Sequence, residues 1–294
     1  KYTIDNLPPV TYTYTGTVAP LSYATISLPA FTSTLGIHKI KAYTAWAIDS
    51  VKSNDTLTKK FYCAKFQTLP VNDNLEGMNE GWYNESIIDT ATKWELGQPN
   101  YGQTSTTHSG TKAWDINLNT AYTNNAETFL YSPFWDLPAV PNVTLSFWMN
   151  MCTSDQLTLE YSPDTSNWYT LATYIYNQCG YFQYTYDLSQ WGISGKTQFR
   201  LHFKSDNGFP NGDGVSIDDI ILTSPPSYDF TITKIAYPQP VHQMYGQIPV
   251  GIQIKNMGAS STNNMQIKYE LDGQLLNTYN YNSVLMYNEY QYLG

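Results

Sequence analysis

Apolar and polar residues take turns in short runs along most of the chain, as in "LGIHKIKAYTAWAI", "VTLSFWMNM", "KTQFRLHFKSD" and "QIPVGIQIKNMG". A period of two sends successive side chains to opposite faces of a strand, so these runs predict half-buried β-strands. Clusters of Gly, Pro, Asn and Asp separate them and read as turns. Helical spacing is hard to find anywhere. The prediction is an all-β chain in three segments. Residues 1–70 hold about four strands, and residues 228–294 about four more. Both are too few for a self-sufficient sandwich. Between them, residues 71–224 hold "VTLSFWMNM", "DQLTLEYSPD", "NWYTLATY", "KTQFRLHFKSD" and "GVSIDDIIL". Several of these strands are apolar on both faces, as in a jelly-roll sandwich of two packed sheets.

One stretch occurs twice. The opening "KYTIDNLPPVTYTYT", which starts at Lys1, returns as "KYELDGQLLNTYNYN" at 268–282, with six of fifteen positions identical. The spacing from Lys1 to Lys268 is the size of one or two domains and far exceeds a solenoid repeat. The expectation is a tandem array: one full period plus the start of the next, with both ends cut from a longer polypeptide. Two separate domains of one type are the alternative. In the array the flanks are the back and front parts of one immunoglobulin-like domain type of roughly 110 residues.

Composition narrows the class. Charged residues are 13% of the 294, about half the usual share. Tyr, Thr, Ser and Asn take their place, as in extracellular β proteins. No apolar run is long enough for a membrane helix. The net charge is −9, and residues 71–224 carry five Lys/Arg against seventeen Asp/Glu. An acidic middle argues against nucleic acid and fits a domain that holds cations. Cys152 and Cys179 share that segment and could pair in an oxidising setting, or remain buried thiols. Cys63 has no expected partner within this chain.

Two resemblances follow from quoted residues. "IKNMGASSTNNMQIKYELDG", "LGIHKIKAYT" and "KSNDTLTKKF" in the flanks resemble CARDB, an adhesion-related bacterial immunoglobulin-like module. In the middle, "LEGMNEGW", "HSGTKAWDINL", "LYSPFWDL", "LEYSPDTSNWYTL" and "GVSIDDI" resemble MAM-like jelly rolls of bacterial secreted proteins. These include accessory domains of immune-inhibitor-A-type peptidases and many Bacteroidetes surface proteins. The cysteines of animal MAM domains are not matched, so no pairing carries over.

The candidate chemistry begins with Asp218 and Asp219. Strand neighbours point to opposite faces, so one of the two is expected to face inward, beside Ile217 and Ile220 or Ile221. A buried carboxylate is costly unless it is paired or holds a metal. The jelly-roll resemblance implies a structural cation between a first-strand Glu and a last-strand Asp, hence Glu76 with Asp218 and Asp219. Hard oxygen ligands favour Ca²⁺. Backbone oxygens around His108, Ser109, Gly110 and Asp115 are weaker candidates. The alternative is that Glu76 caps a turn and the aspartates take backbone amides. "SDNGFPNGDGVS" (205–216) resembles a calcium loop loosely but lacks the twelfth-position Glu, and reads as a Gly-rich turn.

Trp82, Trp94, Tyr101, Tyr181 and Phe182 lie near loops and are the candidates for stacking on sugars, although core packing is the commoner role for any single aromatic; Trp114, Trp148 and Trp168 read as core. Ser50, Thr56 and Thr90 follow Asp in the short pattern on which Bacteroidetes O-glycosylate exported proteins. No HExxH, GxSxG or phosphate loop is present, and no enzyme is expected. The expected function is a non-catalytic repeat unit of a large extracellular bacterial surface adhesin or filament, a calcium-stabilised multivalent stalk. Its partners would be neighbouring repeats or copies of itself, and surface glycans or proteins. The alternative is a carbohydrate- or protein-binding accessory module of a secreted peptidase or hydrolase.

Overall fold

In the computed structural model the chain is all-β, and residues 1–77, 81–175, 177–208, 212–239 and 246–293 are described. Three short 3₁₀ turns interrupt the described strands. No described helix is long and apolar enough to cross a membrane.

β1 (Tyr2–Ile4), β2 (Gly36–Tyr43) and β3 (Thr56–Cys63) form an antiparallel sheet in that order. Tyr2 and Ile4 are buried, and Asp5 turns the chain at φ 50°. The Asp5 carboxylate accepts the Lys39 amide at 2.8 Å and pairs with the His38 ring at 2.8 Å. A short acidic side chain tolerates this left-handed backbone because it makes local hydrogen bonds.

The middle of the chain is a two-sheet sandwich. Its strands are β4 (Phe66–Thr68), β5 (Val71–Asp73), β6 (Tyr83–Ile88), β7 (Trp94–Gly97), β8 (Ala113–Ile116) and β9 (Glu127–Leu137). They continue with β10 (Thr144–Cys152), β11 (Gln156–Ser162), β12 (Tyr169–Tyr174), β13 (Gln178–Asp187), β14 (Gly195–Lys204) and β15 (Gly214–Thr223). One sheet runs β13-β10-β15-β8-β7, with β5 also lying on the last strand β15. The other runs β12-β11-β14-β9-β4, with β6 also on β9. Trp82, Trp94, Trp114, Trp135, Phe147, Met149, Phe199, Phe203 and Ile217 fill the space between them. Strand β4, assigned from sequence to the first segment, pairs in parallel with β9 and so belongs to the sandwich. Cys152 and Cys179 are joined at the ends of β10 and β13, with Cα atoms 4.6 Å apart, and Cys63 is free.

The described residues of the last segment form five strands: β16 (Phe230–Tyr237), β17 (Gly251–Asn256), β18 (Met265–Leu271), β19 (Gln274–Tyr281) and β20 (Tyr290–Leu293). β16-β17-β20 form one sheet and β18-β19 a hairpin turning at Asp272-Gly273. Its core is small, centred on Ile254, Tyr281 and Leu285. Buried Asn256 pins the segment by donating to the Ser260 and Leu285 carbonyls and accepting the Gly258 amide.

The repeated words match at one cross-strand pair and one turn residue, although the first copy carries no strand after Val10 and the second continues as β19 to Tyr281. Tyr2 lies opposite Val10, and the equivalent residues of the second copy, Tyr269 and Asn277, lie opposite each other too. Asp5 has φ 50° and its counterpart Asp272 has φ 52°. The echo in sequence is therefore an echo in strand register and turn geometry.

Candidate functional site

The residues predicted to hold a cation do converge, but on a loop. β15 carries Asp218 and Asp219, and the chain after β5 carries Glu76. Between them lies the segment 105–112 that leads into β8. Asp218 Oδ2 accepts the amides of His108 at 2.8 Å and Ser109 at 3.0 Å. Asp218 Oδ1 accepts the Asp219 amide at 2.7 Å. Asp219 takes the His108 ring at 2.6 Å and the Ser109 hydroxyl at 2.8 Å. Glu76 Oε1 accepts the Thr111 and Lys112 amides, both at 2.7 Å, and Oε2 accepts the Thr111 hydroxyl at 2.8 Å. Lys112 Nζ closes the arrangement on the Glu76 carbonyl at 2.9 Å. A side chain at Gly110 (φ 56°) would collide with the Glu76 carboxylate, so glycine is needed on both counts.

Three carboxylates thus staple one loop to the chain after β5 and to the last strand of the sandwich. The amide hydrogen bonds hold the Glu76 carboxyl below its ordinary range, while burial pushes Asp218 up against the same kind of donors. The oxygen chemistry is of the kind calcium takes. Every one of these carboxylate oxygens is hydrogen-bonded, chiefly to backbone N–H and side-chain O–H groups, the arrangement expected where Glu76 caps a turn and the aspartates take backbone amides. Among the described residues no group of three or more His, Cys, Asp or Glu side chains is spaced to hold a metal.

Neither aspartate enters the core. Two residues of β15, Asp219 and Ile220, stand where β10 has only Phe147 between its paired positions Ser146 and Trp148. This bulge resets the alternation, with Asp219 in the left-handed region at φ 48°. Ile217 and Ile220 then both face inward, and Asp218 lies on the outer face, sealed by the loop.

The aromatic candidates divide differently from the expectation. Trp94 is 0% exposed and Trp82 6%, both inside the sandwich, so neither face is open to a sugar. The Trp82 indole is also tied to Asp73 at 3.0 Å. Tyr181 is half-buried, with its hydroxyl donating to the Thr106 carbonyl and sharing a hydrogen bond with Ser216. It is a strut under the same loop, and burial raises its phenol's pKa. Conversely, Trp148 and Trp168 leave the core. Trp148 lies flat beneath the His108 ring, 3.8 Å centroid to centroid. Trp168 covers the Arg200 guanidinium at 4.0 Å, with Phe129 on another side at 4.5 Å and Glu160 as its ion pair. The sequence signal for both was the alternation itself, which marks a face without saying which face is inner. Ser50, Thr56 and Thr90 are all exposed.

No family model and no curated protein matches the chain. Among solved structures, the K2 cleaved adhesin domain of Lys-gingipain is similar at 13% identity and TM-score 0.40, over 53% of this chain and all of that one. The K3 domain of Lys-gingipain from Porphyromonas gingivalis W83 is 19% identical at TM-score 0.40, over 52% of this chain and 98% of its own. A family 29 carbohydrate-binding module is 16% identical at TM-score 0.32, over 52% and 85%. Likenesses this distant decide nothing about what the chain binds.

Proposed function

We propose that the chain is a non-catalytic structural unit of a large extracellular bacterial surface adhesin or filament. A β-sandwich would alternate in it with a second, smaller β domain. The two flanks are pieces of that second domain, and neighbouring units or a second copy complete them. The observation that carries this reading is the matched hairpin: one strand pairing and one left-handed aspartate, met once after Lys1 and again after Lys268.

Burial supports it. Ile4 is 6% exposed because β2 lies beside β1, whereas its counterpart Leu271 is 60% exposed. A strand pair with one bare apolar face lacks a partner. Many such units on one polypeptide multiply weak surface contacts through effective concentration. Surface glycans are a ligand class for this unit, read by exposed groups other than Trp82 and Trp94.

The test is to append the sequence of residues 28–70 after Gly294, which is where the second copy resumes when Lys268 is aligned with Lys1. Amide exchange at 269–281 is expected to slow at least tenfold as β2- and β3-like strands dock. Unchanged exchange there would overturn the reading and leave the echo as two unrelated hairpins.

A further inference from the structure

Asp115 stands apart from the stapled carboxylates. It is central in β8, opposite Glu95 of β7 on one side and Ser216 of β15 on the other. Its neighbours Trp114 and Ile116 point into the sandwich, so Asp115 points outward with Glu95, Ser216 and Asn150. There the segment Tyr101–Thr107 covers it completely, and it is 0% exposed. Neither carboxylate oxygen has a hydrogen-bond partner. Thr104 and the Ile116 amide lie close but outside bonding geometry. A bare buried carboxylate is a severe cost, and native structures rarely leave one uncompensated.

The surroundings are oxygen-rich and short of positive charge. Asp213, just before β15, accepts the Gln103 amide at 2.6 Å, and its carbonyl takes the Thr104 hydroxyl at 3.3 Å. Gly102 (φ 58°) packs so closely on the Asp213 carboxylate that a Cβ would overlap it. Asn150 ties down the covering segment by donating to the Gln103 carbonyl at 2.9 Å. Tyr181 closes the far side on Ser216. Glu95 faces Asp115 but is neutralised by Lys93 at 2.8 Å. Among the described residues no Lys, Arg or His forms an ion pair with Asp115 or Asp213.

We propose that Asp115 and Asp213, with neutral oxygens of the Tyr101–Thr107 segment, enclose a hard divalent cation of the calcium class, separate from the Glu76–Asp218 junction. Two carboxylates and several neutral oxygens are a donor set such ions accept. The ion supplies the charge that Asp115 lacks and fixes the covering segment to the sheet.

The experiment is calcium calorimetry, with terbium luminescence as a second readout, on the EDTA-stripped full chain and on Asp115→Asn, Asp213→Asn and Glu76→Gln. The expected result is one saturable site, weakened at least tenfold in Asp115→Asn and in Asp213→Asn and unchanged in Glu76→Gln. Circular dichroism confirms folding. Should Asp115→Asn misfold, Asp213→Asn gives the same answer from the loop. No binding by the native chain overturns the proposal. So does native-strength binding by the two aspartate variants. Loss in Glu76→Gln alone overturns it too, and places the ion at the junction.

Discussion

The hairpin at the start of the chain and its echo near the end share six residues of fifteen, one register and one turn conformation, yet they live in different surroundings. The first is backed by β2 and β3, and the His38 ring anchors its turn aspartate. The second is a two-stranded hairpin whose Leu271, Leu275, Leu276 and Tyr279 are exposed. Local sequence determines the turn and the pairing across it. Burial is contributed by strands that are remote in sequence, so similar local words end in unlike environments. A hairpin alone is marginal in water, and the difference in partners is a difference in stability.

The largest effect expected from that contrast is at matched positions. Ile4→Ala should cost about 2–4 kcal/mol, as for a buried aliphatic, and should open the β1–β3 sheet to amide exchange. Leu271→Ala should stay within about 0.5 kcal/mol, as for an exposed site. Equal costs at the two positions would break the comparison.

Next is a control on the body between the hairpins. Replacing Cys152 and Cys179 together with Ser releases a crosslink spanning 27 residues. The sandwich should lose roughly 3 kcal/mol in denaturant unfolding. Exchange in β1–β3 and in β18–β19 should not change. A matching loss in either hairpin would show that its stability is borrowed from the sandwich.

The smallest effect is a pH dependence confined to the first hairpin. The hydrogen bond to Asp5 raises the His38 pKa above its ordinary 6.5, and the same bond lowers that of Asp5 below 3.8. The histidine's contribution is complete below its unfolded pKa and is lost as pH rises through the raised folded value. The aspartate's contribution is present above its unfolded pKa and is lost as pH falls through the lowered folded value. Protection in β1–β3 should therefore weaken on going from pH 6 to pH 8, and His38→Gln should remove that slope. The β18–β19 hairpin has no histidine partner at Asp272 among the described residues, so it supplies the flat reference.

At the stapled loop, the participants Glu76, Asp218, Asp219, His108 and Ser109 were all legible in the sequence, and so were the two roles open to their carboxylates, holding a cation or capping backbone amides. Whether a carboxylate meets a cation or an amide depends on which way the backbone of a segment remote in the chain is turned. The bulge at Asp219 was equally hidden. It inserts one residue against a partner strand, and the inside-outside assignment of everything beyond it changes with it. Asp115 was named only for its backbone, and its unpartnered side chain emerges once segment 101–107 closes over it.

What the sequence determined by itself was local: the period of two that makes the chain all-β, the Asp turns, and the hairpin register that starts at Lys1 and recurs at Lys268. These depend on steric preferences and on pairings between near neighbours in the chain. Only the tertiary structure decided that Trp82 and Trp94 pack inside while Trp148 and Trp168 cover polar groups outside. It alone left Ile4 buried and Leu271 bare. Alternation divides a strand into two faces, and the second sheet, a covering loop or a neighbouring strand decides which of them meets water.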